Sequence, residues 1–175
     1  MKNRSVSEKH FRKKFAGMFY DVIDMKILFD FFRSVARNEL GKGIRVMPVK
    51  RIGSGTYPSL KLIQVNINQE FEEIVQHFFH ELGHNVNYRD GKYLAYESTA
   101  RVYDRASKKR AMAVVKMGMR AEQGADSAGR GLMAKYMPFI EWNEEISYSN
   151  PSIKKLYREQ VIDPEREWLD ENGYL

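Results

Sequence analysis

Residues 69–88 read QEFEEIVQHFFHELGHNVNY, and this stretch decides the fold. Phe71, Ile74, Val75, Phe78, Phe79 and Leu82 recur at helical spacing and form one apolar stripe. At about 100° per residue, Glu73, His77, His80 and His84 fall on another side of the same helix. The spacing therefore predicts a helix over 69–88 with a core-facing edge and a separate polar edge. Its polar edge carries His80-Glu81-Leu82-Gly83-His84. Two histidines four apart project from one helical face and can share a single metal ion, while Glu81 beside the first can take a proton from a water the ion activates.

Outward from this helix, the chain alternates between helix and strand signals. On the N-terminal side, Leu60 to Ile67 is rich in β-formers and reads as the best strand, with Asn68 as N-cap of the helix that follows. Before it, Gly53-Ser54-Gly55-Thr56-Tyr57-Pro58 reads as a loop, and residues 44–49 alternate like a strand whose Pro48 places it at a sheet edge. Apolar residues from Phe11 to Phe32 predict one long helix, or two in tandem, over residues 7–40. After the Asp90-Gly91 turn, helices are expected over 93–119, 127–142 and 152–160, with Asp163-Pro164 opening a short terminal turn. The expected fold class is α+β: one domain over residues 1–175, with an N-terminal helix, a small β-sheet, the motif helix and a mostly helical C-terminal half.

Composition narrows the chemistry. The 175 residues include no cysteine, which excludes thiolate ligands, disulfides and a cysteine nucleophile. Protein ligands to a metal must then be histidine or carboxylate. A catalytic zinc takes three protein ligands, so the motif needs a partner. Glu97, Asp90 and Asp104 are candidates; Glu97 is preferred because it sits in a helical segment able to turn back along the motif helix, with Gly83 and Ala100 permitting close approach. Under this reading His80, His84 and Glu97 hold Zn2+ and Glu81 is the general base. His77 and Asp104 are candidates for supporting contacts, and Tyr57, Tyr88, Tyr93, Tyr96 and Tyr103 for stabilising an oxyanion.

The net charge is +6, with basic runs at Arg12-Lys13-Lys14 and Lys108-Lys109-Arg110. These are read first as solvated faces, with nucleic-acid contact as the alternative. No signal peptide or membrane-spanning stretch is evident, so a cytoplasmic protein with no membrane contact is expected.

The segment 43–106 resembles the ImmA/IrrE family of metallopeptidases. The resemblance rests on Gly43-Ile44-Arg45-Val46, a strand ending Val65-Asn66-Ile67-Asn68, the His80–His84 motif and Glu97-Ser98-Thr99-Ala100. It implies a compact zincin-like domain, zinc held by two histidines and a glutamate, and a phage or mobile-element setting. It further implies a protein substrate, a helix-turn-helix transcriptional repressor, relieved of its function by cleavage. The chain departs from the family pattern at Thr99-Ala100, at Tyr103-Asp104 and in the short gap between His84 and Glu97. The peptidase domain of ArdC-type antirestriction proteins is a related alternative. A regulatory or nucleic-acid-binding protein that keeps the scaffold without proteolysis is another.

Overall fold

A computed structural model describes residues 22–50, 53–92, 108–171 and 173. The protein is a mixed α and β structure in which helices dominate and a small sheet supports one of them.

Helix α1 (Val22–Leu40) places Leu28, Phe29, Phe32, Val35 and Ala36 on one face, and all five are buried. It ends at Gly41, whose φ of 86° lets its N–H return to the Arg37 carbonyl at 2.9 Å. Three short strands follow: β1 (Arg45–Val49), β2 (Gly55–Tyr57) and β3 (Leu62–Asn66). The sheet order is β1-β3-β2, with β1 parallel and β2 antiparallel to β3. Pro48 thus lies on an edge strand, as its missing N–H requires.

Helix α2 (Phe71–Arg89) carries the motif and packs on β3. Helix α3 (Lys108–Tyr136) lies against α2 in the most extensive contact between elements. A helical turn at residues 144–146 leads to α4 (Pro151–Tyr157), a π-helical turn (Arg158–Ile162) and α5 (Asp163–Glu171). Asn150 caps α4 by accepting from the Ser152 N–H at 2.8 Å, with Pro151 at the first helical position.

The core gathers side chains of α1, the sheet, α2 and α3. Phe32 and Phe78 stack with ring centroids 3.9 Å apart, and Phe29 and Phe79 meet them edge-on. Burying each such ring contributes about 2–3 kcal/mol. Val46, Ile63 and Val65 complete the core from the sheet.

Several local expectations are corrected. Residues 55–57 form β2 rather than loop, because their backbone pairs with β3 from Gly55↔Gln64 to Tyr57↔Leu62. Strand β3 begins at Leu62, since Leu60 closes a 3-10 turn and Lys61 is left-handed. The residue capping α2 is Glu70, and the Asn68 N–H donates to Asn66 Oδ1 instead. Residues 108–136 form one helix, where a break between 119 and 127 was expected. The N-terminal part of the helix expected over 7–40, and residues 93–107, lie outside the described residues. Among the described residues, no helix is long and apolar enough to cross a membrane.

Candidate metal centre

The α2–α3 crossing creates the centre, and small residues set its distance. A Cβ on Gly83 would strike the Ala125 carbonyl oxygen, and one on Gly129 would lie 2.6 Å from the Phe79 carbonyl oxygen. The glycine within the motif is therefore required by backbone-to-backbone approach. Gly83 does serve helix packing, with Ala125 and Gly129 as its described partners.

Because α3 approaches so closely, several polar side chains of α2 are buried rather than solvent-facing. His80, Glu81, Asn85 and Asn87 are all less than a tenth exposed, as are Glu122 and Asp126 across from them. Glu122 and Asp126 are four apart and project from the same face of α3.

Three donor atoms converge there. His80 Nε2 lies 3.0 Å from Glu122 Oε2, His84 Nε2 lies 3.2 Å from the same oxygen, and the two Nε2 atoms are 3.1 Å apart. A tetrahedral zinc with bonds of about 2.0–2.1 Å spaces its ligand atoms by about 3.3 Å. The triangle of two imidazole nitrogens and one carboxylate oxygen thus fits a divalent ion in size and in chemistry. Among the described residues, His80, His84 and Glu122 are the group able to hold a metal.

A second layer holds the first in place. His80 Nδ1 donates to Asp126 Oδ1 at 2.7 Å, which orients the ring with Nε2 toward the triangle. The other Asp126 oxygen accepts from Ser147 Oγ at 2.8 Å and from the Tyr148 N–H at 2.5 Å. The segment bearing these donors is fastened to α2: Gln76 accepts from the Asn143 N–H at 2.8 Å and donates to its carbonyl at 3.0 Å. The Tyr148 ring then stacks on His80, with centroids 5.3 Å apart and planes inclined by 27°. From the sheet side, Asn85 donates to the Glu81 carbonyl at 2.9 Å and to Thr56 Oγ1 of β2.

The electrostatics follow from burial among charges. Burial would lower the His80 pKa, but its bonds to Asp126 and Glu122 and the nearby charge of Glu81 outweigh this and raise it to about 10. Burial pushes Glu122 up, yet hydrogen bonds from His80 and His84 hold its carboxyl well below the usual range. These shifts, upward for His80 and downward for Glu122, both favour an ion pair between the imidazole and the carboxylate. The Tyr148 phenol is pushed upward by burial and by the charge of Glu122, so it stays protonated.

The expected residues fare differently. His80 and His84 are brought together, with Glu81 buried beside them. Glu97 and Asp104 lie outside the described residues, and the carboxylate found at the two imidazoles is Glu122. Asp90 is on the surface, paired with Arg89 at 2.8 Å. His77 is half-buried, bonded through Nδ1 to Gln69 Oε1 at 2.7 Å, and held to a pKa of about 4 by burial and by His80. Of the tyrosines considered, Tyr57 is exposed on β2, while Tyr93, Tyr96 and Tyr103 lie outside the described residues. Tyr148 is the phenol at His80. Glu122, Asp126 and Tyr148 were missed; the signal for the first two was the Glu-x-x-x-Asp spacing among small residues.

No protein-family model matches the chain, and no curated protein or solved structure is significantly similar to it.

Proposed function

We propose that this chain is a zinc metallopeptidase in which His80, His84 and Glu122 hold the ion and Glu81 is the general base. One observation carries the reading: two imidazoles and a carboxylate converge with ligand atoms within 4.8 Å of one another, beside a further buried carboxylate. Three protein donors leave a fourth position open, which is the pattern of a catalytic rather than a structural zinc.

When bound, zinc supplies a Lewis acid that polarises a carbonyl oxygen and lowers the pKa of water toward about 7. Glu81 accepts the proton of the attacking water and delivers it to the leaving amine. Asp126 retains the Nδ1 proton of His80 and so keeps its other nitrogen available as a ligand. Tyr148 covers one face of the imidazole and offers a protonated phenol to the developing negative oxygen.

The resemblance to ImmA/IrrE metallopeptidases supports a zincin-like fold and a narrow protein substrate. A helix-turn-helix repressor of a phage or mobile element is the substrate class we favour. In this reading Glu122 takes the ligand role that the sequence and the resemblance assign to Glu97.

The test compares wild type with Glu81→Gln on a repressor encoded beside the gene. Both proteins should hold one equivalent of zinc, and only wild type should cut the repressor, as mapped by mass spectrometry. Equal derepression by both proteins in cells would instead favour a non-proteolytic regulator.

A further inference from the structure

Between the C-terminal end of α2 and the middle of α3 lies an open cleft of about 540 Å3. Asn87, Lys92, Arg120, Gln123 and Ser127 line it, together with two small residues of α3. It adjoins the metal centre on both helices. Gln123 follows Glu122 directly and donates to the carbonyl of Tyr148, the residue stacked on His80. Asn87 is three residues beyond His84, about 4.5 Å along the helix axis. An extended peptide advances about 3.3 Å per residue, so a chain crossing the centre reaches this cleft within one or two residues.

The lining is built to receive an anion. Its two charged residues, Lys92 and Arg120, are both cations, and no described carboxylate lines it. Arg120 has no ion-pair partner among the described residues, while Asp90, paired with Arg89 at 2.8 Å, also lies within electrostatic reach of Lys92. Asn87 adds a second, independent feature. It is 5% exposed, and among the described residues its Nδ2 has no hydrogen-bond partner. Buried amide donors normally find an acceptor, and Nδ2 is shut off from solvent, so a carboxylate in the cleft would meet it only through a rotation of the Asn87 amide.

We propose that this cleft binds an acidic side chain, aspartate or glutamate, of the peptide substrate within a residue or two of the scissile bond. The role rests on the peptidase reading; the binding does not. A nucleic-acid strand needs a track of cations with aromatic platforms, whereas the described residues of the cleft offer two cations and no aromatic ring. The net charge of +6 also favours an acidic partner.

The test uses the zinc-loaded Glu81→Gln protein and two fluorescein-labelled peptides of equal length, identical except that one carries glutamates where the other carries glutamines. Fluorescence anisotropy should show tighter binding of the glutamate peptide. Adding Arg120→Gln or Lys92→Gln should weaken that binding about tenfold. Arg37→Gln, which removes the same charge from an exposed position on α1, should leave it nearly unchanged. Equal binding of the two peptides overturns the proposal. So does an equal loss in Arg120→Gln and Arg37→Gln, which would mean diffuse attraction. Inorganic phosphate binding to the cleft with no preference for the glutamate peptide would likewise overturn it. Digestion of a peptide mixture by wild type separates the two readings. Arg120-dependent binding without any cleavage keeps the cleft and removes the peptidase; cleavage with no acidic preference, alongside equal peptide binding, does the reverse.

Discussion

His80 Nδ1 and Asp126 Oδ1 lie 2.7 Å apart, joining the motif helix to a carboxylate 46 residues further along the chain. Asp126 is otherwise satisfied by Ser147 and the Tyr148 backbone, so one buried side chain orients the imidazole and anchors the loop that covers it.

Asp126→Asn tests that arrangement. Its amide can still accept from His80 but must present N–H groups toward Ser147 and Tyr148, where two donors already point. Zinc affinity should fall about 10–100-fold, measured by competition with a chromophoric chelator. Unchanged affinity would mean that Asp126 does not position the ligand.

Zinc uptake should release protons. With its pKa raised to about 10, His80 holds both ring protons at neutral pH in the metal-free protein and must give up the one on Nε2 to become a ligand. Calorimetry in buffers of different ionisation enthalpy should report about one proton released at neutral pH, with affinity rising about tenfold per pH unit between roughly 7 and 9. The same shift acts on the metal-free fold. Since the pKa is raised on folding, the His80 contribution is fully present below about 6.5 and is lost as pH rises toward 10. A metal affinity flat across this range would contradict the protonated centre.

The helix crossing predicts opposite outcomes for two glycine substitutions. Gly83→Ala drives a methyl group into the Ala125 backbone and should cost about 3 kcal/mol, with weaker metal binding. Gly131→Ala, also helical but with nothing within 4 Å, should stabilise by up to about 1 kcal/mol. Thermal unfolding of the two variants checks both signs.

How much of this was legible in the residues depends on where the information lay. The apolar stripe of α2, the edge position of Pro48 and the pairing of His80 with His84 are local patterns, and each appears as expected. The sequence reading divides α3 at 120–126, a stretch in which Gly124 is a weak helix former, whereas the structure runs the helix straight through it. Gly129 is there to admit the Phe79 backbone, a requirement visible only once two helices cross. With α3 divided, Glu122 and Asp126 lost the helical register that places them on one face. Strand β2 was missed for a similar reason, since Gly55-Thr56-Tyr57 has strand geometry only through its pairing with β3.

The most direct test of the metal centre is the zinc content of purified wild type, Glu122→Ala and Glu97→Ala, read by mass spectrometry under native conditions and by elemental analysis. One equivalent is expected in wild type, none in Glu122→Ala and one in Glu97→Ala. Full occupancy in Glu122→Ala with loss in Glu97→Ala, or no tightly held ion in wild type, would contradict this assignment.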